Sequence, residues 1–190
     1  WFPDARFGCV PGVVKTRVGF TGGSTKGATY RNIGDHTETV ALDFDPNKIS
    51  FGELLEMFWT NHSPFSKSSN QYMSAIFYHS TKQKMVAEES RDKFQKEMTR
   101  PIATKILPAG EFYNAEDYHQ KYMLRQHKDF LNKLNLSDED IVTSHVAARL
   151  NGYVGGFGSL EQFDQECDLF GLSEHQQSFV RKQIQKRQKN

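Results

Sequence analysis

Every segment of this chain that reads as a β-strand lies before residue 132; beyond it come only helical segments and one glycine-rich stretch, "NGYVGGFG". That asymmetry constrains the fold more than any single motif. "PGVVKTRVGFTGG" (Pro11 to Gly23) is β-branched and bounded by Pro-Gly and Gly-Gly, the punctuation of a strand. "HTETVALDFDP" alternates cleanly, with Glu38, Val40, Leu42 and Phe44 on one face and Thr37, Thr39, Ala41 and Asp43 on the other. "QYMSAIFYHS" and "IATKIL" supply a third and a fourth strand. Helices are marked by their caps. "SFGE" opens "LLEMFWTNH", "STKQ" opens "KMVAEESRDKFQKEM", and "SLEQ" and "SEHQ" start two late helices. An amphipathic helix begins at once in "WFPDARFG", with no strand before it, as in a βαβ unit whose first strand has been cut away. The order predicts an α+β fold, a mixed β-sheet with flanking helices. It also predicts two parts, a core over residues 1–132 and a helical C-terminal extension over 133–190.

The bulk numbers exclude several function classes. With 37% hydrophobic and 25% charged residues the chain reads as globular rather than disordered. A net charge of +1 makes no broad field for nucleic acid. No apolar run approaches the roughly 18 residues of a membrane span, so no membrane partner is expected. Cys9 and Cys167 are too few for a disulfide framework, which favours a reducing compartment. The cytoplasm is the expectation, with a mitochondrial or plastid leader still open because the chain does not start with Met. The basic tail "VRKQIQKRQKN" reads as a solvated helix end.

Few residues stand out chemically. Glu38 falls in step with an apolar strand face; a carboxyl withdrawn from water there favours its protonated form and can donate a proton. A frayed strand start swinging into water is the alternative. Tyr30 and Tyr72 sit beside strands, where a ring packs while its hydroxyl faces a pocket. "FYNAEDYHQKY" (Phe112 to Tyr122) crowds Asp117, His119 and three tyrosines together, and His119 reads as a base, a ligand or a structural histidine. The seven histidines lack ligand spacing, so no metal is expected, and no phosphate-binding or nucleophile-elbow motif occurs. Cys9 ends the first helix, where the dipole disfavours a thiolate; it reads as a buried structural thiol.

Taken together, "PGVVKTRVGFTGG", "TY" (Thr29, Tyr30), "HTETVALDFDP", "FWTNHSP", "QYMSAIFYH" and "ILPAGEFYNAEDYHQKY" resemble the peptide methionine sulfoxide reductase A family. Their order covers Trp1 to about Tyr122. The resemblance implies that family's ferredoxin-like core, here without its first strand. It places Trp1 on the Trp of a Gly-Cys-Phe-Trp motif, so the nucleophilic Cys, or selenocysteine in some members, is expected just upstream and the sequence reads as a fragment. Phe2 stands where a Gly is usual.

The resemblance further implies thiol-dependent reduction of methionine S-sulfoxide, free or in proteins, as repair of oxidative damage. Glu38 matches the family's acid, and Tyr30 and Tyr72 match the hydroxyls that hold the sulfoxide oxygen. Trp1 would wall the substrate methyl, with Asp117 and His119 in support. No cofactor is implied; reducing equivalents come from thioredoxin or another thiol, and a monomer is expected. Two departures stand out. The acid that many members carry a few residues before the second tyrosine is missing from "SPFSKSSNQY", where Lys67 or a Ser takes its place. The resolving "GYC" of many tails is here "NGYVGG" with Val154, which leaves Cys167 as the candidate resolving thiol. Two rival readings remain, an inactive member that binds Met-containing peptides and an unrelated metal enzyme using His36, His62 and His119.

Overall fold

The structure, a computed structural model, describes residues 2–188. The elements run α1 (Phe2–Gly8), β1 (Val13–Thr21), β2 (Thr37–Phe44), α2 (Phe51–Thr60), β3 (Ala75–Tyr78), α3 (Thr81–Lys96), β4 (Lys105–Pro108) and β5 (Tyr113–Asn114). Helices follow: α4 (Tyr122–Arg125), α5 (Lys128–Asn132), α6 (Asp138–Thr143), α7 (His145–Gly155), α8 (Leu160–Glu166) and α9 (Glu174–Gln188). The α+β class stands, with the strands shared between two sheets, one ordered β2-β1-β5 and one pairing β3 with β4 in parallel. β5 escaped the sequence reading because it is two residues long; it runs antiparallel to β1, Phe20 opposite Tyr113. By packing, the chain divides into unit 1 (Trp1–Val18, Val40–Asp45, Glu116–Asn190) and unit 2 (Gly19–Thr39, Pro46–Ala115).

The caps behave as their chemistry requires. Ser50 accepts from the Glu53 amide while the Glu53 carboxylate accepts from the Ser50 amide, a full capping box at α2. Ser173 and Gln176 form the same reciprocal pair at α9. At α8 only half of it forms. Ser159 caps the Gln162 amide, but the Gln162 side chain donates to the Cys9 carbonyl at 2.6 Å and ties α8 to the end of α1.

Unit 1 is organised by α1 lying tightly on α7. A Cβ at Gly152 would fall 2.5 Å from Cys9 Sγ and 2.8 Å from the Ala5 carbonyl oxygen, so only glycine lets the backbones approach this far. The glycine-rich stretch is largely helix: Asn151 to Gly155 belong to α7. Gly156, left-handed at φ 86°, ends it, and the Phe157 amide donates back to the Gly152 carbonyl at 3.0 Å. Leu150, Tyr153, Val154, Phe163, Val180 and Ile184 fill the core beside them.

One polar cluster inside unit 1 centres on Asp4 and Lys121. The Asp4 carboxylate accepts from the Lys121 amide at 2.9 Å and from the Thr16 hydroxyl, and Lys121 Nζ lies 3.5 Å from it while donating to the Thr16 carbonyl at 2.6 Å. Lys121 itself is left-handed at φ 51° and fully buried. Burial pulls its ammonium below the usual lysine range, and the Asp4 charge pushes it part of the way back. Beside it the Gln120 carboxamide accepts from the Val18 amide at 3.0 Å and donates to the Val18 carbonyl at 2.8 Å, doing for one residue what a neighbouring strand would do.

Unit 2 holds a smaller core of Leu55, Trp59, Ile76 and Ala87, with the Trp59 ring stacked on Phe94 and its indole N–H donating to Ser90 Oγ at 3.1 Å. The aromatic residues of "FGELLEMFW" thus serve packing.

One expectation needs correction. The alternation of β2 does not produce a buried face: Glu38, Val40, Leu42 and Phe44 are all half-buried, and Thr37 is the residue sealed from water. The cause is the position of β2 at the outside of its sheet among the described residues, where one flank has no strand against it.

Candidate active site

The group that gathers acid and hydroxyls lies in unit 2. Tyr30 is delivered by the loop between β1 and β2, which is held at several points. Asp35 accepts from the amides of Ser24 and Thr25 and from both their hydroxyls, at 2.8 to 3.0 Å, and these bonds hold its carboxyl well below the usual carboxylate range. His36 Nδ1 accepts from the Gly23 amide at 3.1 Å, which leaves the ring proton on Nε2 to donate to the Thr25 carbonyl at 2.7 Å. A tight turn, with Thr29 and Asn32 bonding each other's amides, then projects Tyr30.

Tyr72 is delivered by a 3₁₀ turn, Asn70–Tyr72. Thr37 on β2 clamps this turn by donating its hydroxyl to the Asn70 carbonyl at 2.9 Å. Downstream, Ser74 Oγ lies 2.7 Å from both His62 Nε2 and Thr104 Oγ1, and the His62 Nδ1–H donates to the Phe58 carbonyl at 2.7 Å. Burial lowers the His62 pKa below the ordinary histidine value. This chain fixes the residues that follow Tyr72.

Between the two tyrosines and the acid lies a residue the sequence reading did not single out. Gln71 Nε2 donates to Glu38 Oε1 at 2.8 Å and to the Tyr72 hydroxyl oxygen at 3.0 Å. The Tyr72 phenol is bonded in turn to Tyr30, and that bond first, then burial and the Glu38 charge, raise its pKa above the ordinary tyrosine value. Glu38, Gln71, Tyr72 and Tyr30 thus form one hydrogen-bonded group. Its carboxyl is half-buried, and its phenols are open to solvent, Tyr30 at 37% and Tyr72 at 59%. Gln71 opens the family piece "QYMSAIFYH", but its bonds to the acid and the phenol come from the fold.

The remaining expected site residues are not members of this hydrogen-bonded group. Trp1 lies outside the described residues. Asp117 and His119 belong to unit 1, on a 3₁₀ turn where His119 is buried against the Tyr118 ring and Asp117 is exposed. Lys67 is exposed. Cys167 is buried; its thiol lies 3.5 Å from Gln177 Oε1 and 3.6 Å from the Arg181 guanidinium, and burial raises its pKa. Cys9 is buried too, and desolvation pushes its thiol up to about 11 against the pull of the Arg149 charge. Among the described residues no group of three acidic, histidine or cysteine side chains is arranged to hold a metal ion. His36 and His62 each spend both ring nitrogens on protein partners.

Residues 1–150 match the family model for peptide methionine sulfoxide reductase, and residues 135–185 match that for the helical domain of selenoprotein methionine sulfoxide reductase A. The chain is 43% identical over 185 residues to a peptide methionine sulfoxide reductase of Drosophila melanogaster, covering 94% of this chain and 74% of that one. It is 44% identical over 162 residues to one from Oryza sativa subsp. japonica, covering 80% of this chain and 63% of that one. Among solved structures it is similar to methionine sulfoxide reductase A of Corynebacterium diphtheriae, with a TM-score of 0.58, 34% identity and 72% of each chain covered. The chain therefore belongs to the peptide methionine sulfoxide reductase family, a family of oxidoreductases.

Proposed function

We infer that this protein reduces methionine sulfoxide to methionine, with Glu38 as the proton donor and Tyr30 and Tyr72 as the hydroxyls that hold the sulfoxide oxygen. It is a peptide-methionine sulfoxide reductase by family. The S-epimer, free or in a protein, is the substrate we assign. The observation that carries the roles is the single hydrogen-bonded group of one carboxyl and two phenols. A sulfoxide oxygen is a strong acceptor and a poor leaving group until protonated. A half-buried carboxyl flanked by phenolic donors meets both needs.

The reaction balances as follows. A thiolate, or a selenolate, attacks the sulfoxide sulfur while the oxygen takes a proton from Glu38. The oxygen passes to the attacking atom, which becomes a sulfenic (or selenenic) acid, and methionine departs reduced. A second thiol condenses with that acid and releases water, leaving a disulfide or a selenylsulfide, which thioredoxin or another dithiol reduces. Neither Cys9 nor Cys167 is suited to the first attack, because that step needs an accessible thiol of low pKa and both are buried and raised. Cys167 remains our candidate for the second thiol, which requires the helices over it to open. The chain operates as a monomer in this scheme.

Turnover of the separate S and R epimers of N-acetyl-methionine sulfoxide with dithiothreitol tests this on the natural full-length protein. We expect S-selective turnover that falls by about 10²–10⁴ in Glu38→Gln. Equal turnover of both epimers, or an unaffected Glu38→Gln, rejects the assignment.

A further inference from the structure

We propose that Gln71 is a positioning residue for this reduction, fixing which oxygen of Glu38 carries the transferable proton and keeping Tyr72 from consuming it. The inference rests on the assignment of Glu38 as proton donor. Its basis is the pair of bonds from one nitrogen, 2.8 Å to Glu38 Oε1 and 3.0 Å to the Tyr72 oxygen. A carboxamide NH₂ has two hydrogens and no acceptor site, so both neighbours must turn a lone pair toward it. For Glu38 this makes Oε1 the accepting oxygen and leaves Oε2 as the one that bears the acidic hydrogen. For Tyr72 it directs the hydroxyl hydrogen away from Glu38, consistent with the bond between Tyr72 and Tyr30.

Without that amide, the exposed Tyr72 side chain could swing toward the carboxyl and pair with it. That pairing would hold the acid on its neighbour rather than on the substrate oxygen, and it would let the carboxyl turn so that either oxygen could carry the proton. The amide between them removes both alternatives before substrate arrives, which is where positioning contributes to rate. The backbone supports the arrangement: Thr37, one residue before Glu38, donates to the Asn70 carbonyl, one residue before Gln71, at 2.9 Å. Acid and amide are therefore held in register by a bond that neither side chain makes.

The test is steady-state reduction of N-acetyl-methionine-S-sulfoxide by the natural full-length protein and its Gln71→Glu and Gln71→Met variants, each also built on Glu38→Gln. Gln71→Glu keeps length and shape but offers an acceptor where a donor is needed. We expect it to lower kcat at least about tenfold with KM changed less than about twofold, the signature of an interaction used in the transition state. Gln71→Met removes the donor without adding charge and should lower kcat in the same direction. On Glu38→Gln both substitutions should cost less than about twofold more, because Gln71 acts through Glu38. If Gln71→Glu turns over like the parent, or if its loss multiplies fully with that of Glu38→Gln, the inference fails, and so it does if KM alone rises. If Glu38→Gln itself keeps full activity, the reading of the acid falls as well, whereas a collapse in Glu38→Gln beside a silent Gln71 series sinks only the role of Gln71. Thermal melts with midpoints within about 2–4 °C of the parent separate these outcomes from misfolding.

Discussion

The two units treat polar side chains in opposite ways. In unit 1 the central charged pair is sealed, although other charges of that unit stay at the surface. Asp4 and Lys121 lie under the protein surface and bond each other and Thr16, while Arg149, Tyr153 and the partly exposed Glu166 form a second cluster in which burial and the Glu166 bond push the Tyr153 phenol far up. In unit 2 the Glu38 group is left partly open, with its phenols facing water. A buried ion pair adds little net stability over a good apolar substitute, yet removing one partner leaves a stranded charge. A half-exposed carboxyl can lose its partner at small cost, because water replaces it. Polar groups of the first kind hold a fold together; those of the second kind can exchange protons with a ligand.

That contrast can be broken by four measurements. The largest effect is expected from Glu38→Gln, with activity down by about 10²–10⁴ and unfolding free energy in urea changed by less than about 1 kcal/mol. A variant that loses stability along with activity would erase the distinction. Next, Lys121→Met should cost about 3–5 kcal/mol in the same urea titration, since it strands the Asp4 carboxylate. A neutral result would show that the pair is not what secures unit 1. Gly152→Ala is a finer probe. Alanine gains up to about 1 kcal/mol of helix propensity, while the added Cβ strikes Cys9 and Ala5 and costs about 1–3 kcal/mol, so net destabilisation is expected. A raised melting temperature would mean that α1 slides away freely. The last is a pH slope, silent at neutral pH. Folded Cys9 keeps its proton to about 11, against an ordinary value of 9.0. Its contribution to stability is thus complete below about 9 and lost as pH rises to about 11; Cys9→Ala should flatten that part of the curve.

Much of this architecture was legible in the sequence because it depends on neighbours a few residues apart. The Ser50–Glu53 box, the Ser80 and Ser173 caps and the β-branched runs of β1 and β2 are local statements, and they appear where the residues put them. What could not be read depends on distant partners. The bond between Asp4 and the Lys121 amide spans 117 positions, and no spacing rule reaches that far. β5 exists because two residues come to lie beside β1, not because Tyr113 and Asn114 favour a strand. The burial of β2 turned on strand order rather than on alternation. At the candidate site the family motifs point to Glu38 and the two tyrosines, while the bonds of Gln71 depend on how the turn that carries it meets β2.

The seam between α1 and α7 has a consequence for a protein that works where sulfur is being oxidised. Peroxides choose among thiols by how much thiolate each presents and how easily it is reached. Cys9 offers neither: the seam shuts it from solvent and keeps its proton in place at every physiological pH. It behaves toward oxidants as a methyl group would, filling volume without entering the traffic of oxygen atoms. The chain thereby carries a sulfur that neither draws oxidants to itself nor diverts an intermediate into a dead-end disulfide.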